Sequence, residues 1–283
     1  MCLIAWSWQP GGRRTLLLAA NRDEWLQRPA SPMHWWDSPD EGLPPLLAGR
    51  DLQGGGTWLG LRRDGLLAAL TNVREPGPRD AARPSRGELP LRFLRGRHPL
   101  DERPWKAPDP LAWAAELRLG MQAYAGFNLL LADLRRGSMA WVSNRAGFAE
   151  VEPGVHGLSN AALDTPWPKV LRLKQGVARC VQAEERGSRV PAEPGPEFEF
   201  LLDCLADPHP APDEQIPAPP EGLQLSEQWS RGLSAPFIQL PDYGTRCSTL
   251  LRADDDGSMH VLELQRQPLG GLRREYHWNW REA

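Results

Sequence analysis

Apolar residues in this chain gather in short blocks bounded by Gly, Pro and Asp, rather than in long helical stripes. Leu3 to Trp8 and Thr15 to Ala20 flank Pro10-Gly11-Gly12, the pattern of a β-hairpin. Thr57 to Leu61 and Leu66 to Thr71 flank Asp64-Gly65 in the same way. Phe127 to Leu131 and Met139 to Val142 flank Arg136-Gly137, and Cys247 to Arg252 faces Met259 to Leu264 across Asp254 to Gly257. Tyr276 to Trp280 reads as a closing strand. Helical spacing is confined to the stretches between hairpins. These are Arg86 to Leu94, Leu111 to Tyr124 behind an Asp109-Pro110 cap, a run from Thr165-Pro166-Trp167-Pro168 to Val181 with Thr165 as N-cap, and Phe198 to Leu205.

Hairpins, then helices, then hairpins predict antiparallel sheets with segregated helices, an α+β class rather than βαβ alternation. The hairpins need one another to bury both faces, so residues 1–283 read as one domain. The Pro-rich stretches near 74–110 and 187–222 are then surface loops.

Composition narrows the function classes. Of 283 residues, 41% are apolar and 24% charged, which excludes wholesale disorder. A net charge of −3 removes the electrostatic basis for nucleic-acid binding. No apolar stretch is long enough to span a membrane. The Met1-Cys2-Leu3-Ile4 start lacks a basic n-region, so a cytoplasmic location is expected. Four scattered cysteines make no C-x-x-C site, and six histidines make no H-x-x-x-H pair, so no metal is expected. Gly54-Gly55-Gly56-Thr57 lacks the ending of a phosphate loop and reads as a turn where backbone passes close to a neighbour. Among the thirteen Trp, Trp58 and Trp35-Trp36 are candidates to line a pocket.

Chemistry enters at Cys2. Removal of Met1 leaves a residue with both a thiol and a free α-amine. Their ordinary pKa values, about 8.5 and 7.7–8.0, let the amine act as base to its own thiol. Such a nucleophile needs a carboxylate near the amine, donors for an oxyanion and a rigid strand. Asn21-Arg22-Asp23-Glu24 ends the strand expected to return beside Cys2, so Asp23 or Glu24 can meet the amine. Asn72, after Ala68-Ala69-Leu70-Thr71, is a candidate oxyanion donor. Gly157-Leu158-Ser159-Asn160 and Tyr243-Gly244-Thr245-Arg246 also set polar residues at element ends.

These motifs, with Gly55-Gly56-Thr57-Trp58-Leu59-Gly60, Arg86-Gly87-Glu88-Leu89, Gly126-Phe127-Asn128-Leu129 and Thr165-Pro166-Trp167-Pro168-Lys169, resemble in order and spacing the NRDE family. That family includes the transport and Golgi organisation protein 2 group. The resemblance implies the N-terminal nucleophile hydrolase fold, a four-layer αββα sandwich. The spacing is also similar to the choloylglycine hydrolase and penicillin V acylase group of cysteine amidases. Carried across, that likeness makes Cys2 the nucleophile, Asp23 the carboxylate beside its amine, Asn72 and Asn160 the asparagines around oxyanion and substrate, and Arg246 the arginine near the nucleophile. Arg22, Trp58 and Thr71 are expected on the substrate. One departure stands out: the acylases' Arg falls on Ala20, and Arg22 faces the other way from its strand neighbours.

Two readings follow. The first is an amidohydrolase for a non-peptide C–N amide of a small molecule, needing no cofactor. The second is a binding or trafficking protein on the same fold, with haem or an acyl-CoA or lipid metabolite as ligand and Arg22 and Arg246 on its anionic groups.

Overall fold

The computed structural model describes residues 3–37, 43–77, 80, 82–105, 109–185, 195–268 and 270–282. Two antiparallel sheets carry the molecule. The first runs in the order β10 (Gly154–Leu158), β1 (Leu3–Trp8), β2 (Arg14–Trp25), β11 (Tyr243–Asp254), β12 (Ser258–Gln265) and β13 (Arg273–Asn279). The second runs β3 (Ala30–Trp36), β4 (Leu46–Asp51), β5 (Leu59–Arg62), β6 (Leu66–Asn72), β7 (Phe127–Asp133), β8 (Ser138–Ser143) and β9 (Gly147–Glu150).

Strand alternation decides how the layers stack. In β1 and β2, Ile4, Trp6, Trp8, Leu16, Leu18 and Ala20 enter the core between the sheets, where they meet Leu59, Leu67, Ala69 and Leu130 of the second sheet. The alternate residues Leu3, Ala5, Leu17 and Ala19 face outward under α3 (Pro168–Glu185) and α4 (Gly195–Leu205). The outer face of the second sheet is covered by α1 (Glu88–Leu94) and α2 (Pro110–Leu117), through Leu89, Phe93, Trp113 and Leu117. The four layers are therefore helix, sheet, sheet, helix, the αββα sandwich the resemblance implied. A short α5 (Glu227–Gly232) precedes β11. Among the described residues no helix is long and apolar enough to cross a membrane.

Local signals read from the chain hold where they are short-range. Asp109 caps α2 by accepting from the Ala112 N–H at 2.8 Å, with Pro110 in the first turn. Each expected hairpin forms. Thr165 corrects the expectation: α3 begins at Pro168, and the Thr165 hydroxyl donates to the Ala162 carbonyl, closing the preceding turn instead of capping the helix. Four strands were not expected from the pattern, β3, β4, β9 and β10. β3 contains Pro32 and a register shift between Ser31 and His34, and β9 is only partly covered, so neither shows clean alternation.

Candidate active site

β2 runs past the apolar block into Asn21-Arg22-Asp23-Glu24-Trp25, paired with β1 as far as Asn21 and with β11 as far as Trp25. Leu3 faces Asn21 on one side, and Thr245, Cys247 and Ser248 face Asp23, Arg22 and Asn21 on the other. Alternation sends Asn21 and Asp23 to the helix side and Arg22 and Glu24 between the sheets. Asn21 is fully buried. Its amide donates to the carbonyls of Leu205 and Pro236, and its oxygen accepts from the Ser248 hydroxyl at 2.7 Å. It clamps the end of α4 and the approach to β11 onto the sheet.

Asp23 is 1% exposed and accepts from the Thr245 hydroxyl at 2.7 Å; that hydroxyl in turn accepts from the Ile238 N–H. Burial raises the Asp23 carboxyl above its ordinary value, and the charge of Lys169, with the Thr245 hydroxyl, pulls it partly back. Lys169 is also 1% exposed and stands second in α3. A cation there is opposed twice, by desolvation and by the positive end of the helix dipole. The buried Asp23 carboxylate offsets both.

On the other face of β2, Arg22 and Glu24 line a cavity of about 440 Å³, its open mouth included. Trp58, Leu70 and Asn72 come from the second sheet's end, and Ser85, Arg86 and Gly87 from the turn before α1. The Arg22 guanidinium lies 4.2 Å from the Trp58 ring centroid. Arg28 bonds Asp51 at 2.7 Å and lies 3.7 Å from Glu24. Burial would raise Asp51, but the Gly54 N–H and Arg28 outweigh it and lower its carboxyl. The triple glycine performs the expected close approach. Gly55 has φ +71°, and a Cβ on Gly56 would sit 2.3 Å from the Gly87 backbone, so only glycine lets the two loops meet at the cavity wall.

Asn72 ends β6 among the residues that line this cavity, its side-chain amide unbonded among the described residues. Its backbone carbonyl accepts from the Asn160 amide at 2.9 Å, and the Asn160 carbonyl accepts from the Arg74 N–H. Asn160 thus positions the Asn72 backbone. Thr71 and Asn128, opposite one another in β6 and β7, point between the sheets and hold the loop after β10. Thr71 donates to the Ser159 carbonyl at 2.6 Å. Asn128 donates to Thr71 Oγ1 and to the carbonyls of Ser159 and Ala161, and accepts from the Trp141 indole. Further along that loop, Asp164, at φ +57°, accepts from the Gly157 N–H and pairs with His156 and Lys174.

The expected site residues therefore fall into three groups. Arg22, Trp58 and Asn72 share the cavity. Thr71 and Asn160 belong to the buried tie behind Asn72. Asp23 lies across β2, on the helix side. Arg246 is the extra residue of a bulge in β11, and its guanidinium donates to the carbonyls of Gln267, Trp25 and Arg28. It braces the exit of β2 and the Arg28 backbone at the edge of the cavity. Cys2 lies outside the described residues. Trp35 packs on Trp278 and Trp36 under Arg50, away from the site.

Three residues escaped the sequence reading. Lys169 stood inside the Trp167-Pro168-Lys169 motif but carried no role, Asn128 was a lone amide in an apolar strand, and Arg28 lay beyond the Asn-Arg-Asp-Glu run. Among the described residues no cluster of metal-ligating side chains forms.

A family model described as Transport and Golgi organisation 2 matches residues 1–268. A Transport and Golgi organization protein 2 homolog of Bos taurus is 35% identical over 282 residues, covering 95% of this chain and 94% of that protein. The Homo sapiens homolog is 32% identical over 296 residues, covering 99% and 97%. Solved structures with some similarity include a variant of conjugated bile acid hydrolase from Clostridium perfringens, at 9% identity, 98% and 97% coverage and a TM-score of 0.48. Penicillin V acylase from Agrobacterium tumefaciens shows 12% identity, 94% and 83% coverage and a TM-score of 0.43. With a match over nearly its whole length, and relatives aligned end to end, this chain belongs to the Transport and Golgi organisation 2 family.

Proposed function

We propose that this protein is an N-terminal cysteine amidohydrolase that cleaves a non-peptide C–N amide of a small molecule, with Cys2 as nucleophile once Met1 is removed. The observation that carries the reading is the end of β2. There a fully buried carboxylate, Asp23, is held by Thr245 on one face, and a cavity with the available amide of Asn72 opens on the other. Cys2 is joined to Leu3, whose ladder partner is Asn21, and successive Cα atoms lie about 3.8 Å apart. The reading requires the Cys2 thiol to face the cavity and its amine to lie near Asp23.

In this mechanism the α-amine takes the thiol proton and the thiolate adds to the substrate carbonyl carbon. The Asn72 amide donates to the resulting oxyanion. The ammonium, balanced by Asp23, returns its proton to the amide nitrogen as the C–N bond breaks, releasing the amine. Water, deprotonated by the same amine, then adds to the thioester and frees the acid and the thiol. The charge of Lys169 opposes the upward pull of burial on the Asp23 carboxyl.

Intact mass before and after treatment with a small β-lactone tests the reading. Loss of one Met and a single adduct on Cys2, absent in Cys2→Ala, is the expected result. A retained Met, or labelling no faster than at Cys180 or Cys204, would overturn it.

A further inference from the structure

Arg22 is 3% exposed, and a guanidinium stays charged at every ordinary pH. A charge so buried normally has an anionic partner. Among the described residues no carboxylate hydrogen-bonds Arg22; its guanidinium lies on the face of Trp58 and feels the charges of Asp23 and Asp51 only at longer range. The two acids of the cavity are engaged elsewhere. Asp51 accepts from Arg28 and from the N–H groups of Gln53 and Gly54, and Glu24 accepts from the Trp25 N–H and faces Arg28. Both acids of the described lining are thus engaged by Arg28, and neither is hydrogen-bonded to Arg22. The Trp58 indole N–H is likewise buried without an acceptor among the described residues. Both are donors to which the described residues supply no acceptor oxygen.

We infer that the cavity takes the carboxylate of its substrate on Arg22, so that the amide cleaved is a small molecule carrying one carboxylate group, such as an N-acyl amino acid. The planar fork of a guanidinium matches a carboxylate in two parallel N–H···O bonds, and stacking on Trp58 fixes the plane of that fork. The inference rests on the amidohydrolase reading for the word substrate, whereas the anion site itself does not.

The test is binding of N-acetylglycine, its neutral amide N-acetylglycinamide, and inorganic phosphate to Cys2→Ala protein, followed by calorimetry. N-acetylglycine should bind at least about 10-fold more tightly than the neutral amide, as expected for one charge-assisted pair. That preference should vanish in Arg22→Gln and persist in part in Arg22→Lys, with circular dichroism confirming that each variant folds. Equal binding of acid and amide, an unchanged preference in Arg22→Gln, or binding of phosphate but not N-acetylglycine would each overturn the inference. Turnover assays on the unmodified protein separate the two ideas. Selective binding without hydrolysis of any acyl amide sinks the hydrolase and leaves the anion site. Hydrolysis of neutral amides in preference to acids sinks the carboxylate assignment and leaves the hydrolase.

Discussion

Lys169→Met isolates the buried charge pair on which the candidate site is built. Both Lys169 and Asp23 are 1% exposed, so neither charge is screened by solvent. Methionine nearly reproduces the lysine stem, so the loss is electrostatic rather than a cavity. Removing one partner of a buried pair costs about 3–5 kcal/mol, and the lower end applies because the Thr245 hydroxyl still serves Asp23. The pH dependence follows from Asp23, whose folded carboxyl is raised above 3.8 by burial against the opposing charge of Lys169. Without Lys169 it rises further. Between the unfolded and folded values the folded chain binds more protons, so stability falls as pH rises through that window. The variant should therefore lose about 3 kcal/mol at pH 7 but only about 1 kcal/mol near pH 4, where protonation removes the stranded charge. Urea midpoints followed by tryptophan fluorescence measure this, alongside Asp23→Asn and the double variant. The double variant should be more stable than the sum of the single losses by about 2 kcal/mol. A loss independent of pH, or strict additivity, would show that the two residues are not coupled.

Asn128→Ala strips the Ala161 carbonyl and the Trp141 indole of their described partners and should cost about 3 kcal/mol, with faster amide exchange at residues 159–161. At Asp164, burial alone would raise the carboxyl, but His156, Lys174 and the Gly157 N–H lower it from 3.8 to about 2. Its contribution is present above the unfolded value and is lost as pH falls from about 4 to 2. Discounted for solvent screening it amounts to about 1 kcal/mol, so Asp164→Asn should flatten the acid limb of the stability curve by that amount in chemical denaturation. In Gly56→Ala a Cβ meets the Gly87 backbone, which has no side chain to yield; a melting-point drop equivalent to about 1–3 kcal/mol and weakened N-acetylglycine binding should follow.

Much of the neighbourhood of the site was readable because a hairpin is a local object. The turn at Gly11-Gly12 sets the register of β1 on β2, and that register alone carries Asn21 opposite Leu3. The same alternation separates Arg22 from Asp23, as expected from their adjacency in a strand. The Gly54 to Gly56 turn announced a close backbone approach, though not that its partner would be Gly87. The bonding of Arg246 was not legible in the chain, because a bulge is invisible in the pattern. One extra residue between Thr245 and Cys247 turns its guanidinium onto three carbonyls.

Blocks of apolar residues, their turns and the Asp109 cap depend on neighbours a few positions away, and the chain alone dictates them. The pairing of faces is different in kind. The charge of Lys169 acts on Asp23 only because α3 buries Val170 and Leu173 against Leu3 and Ala5. Arg22 gains a cavity only because the ends of β2 and β6, in separate sheets, meet the 51–58 and 85–87 loops. Many apolar blocks could have covered either sheet equally well by hydrophobicity, which is non-directional. The choice among them was settled by the packing of the whole chain, where shape and the satisfaction of buried polar groups such as Asn21, Thr71 and Asn128 admit one arrangement.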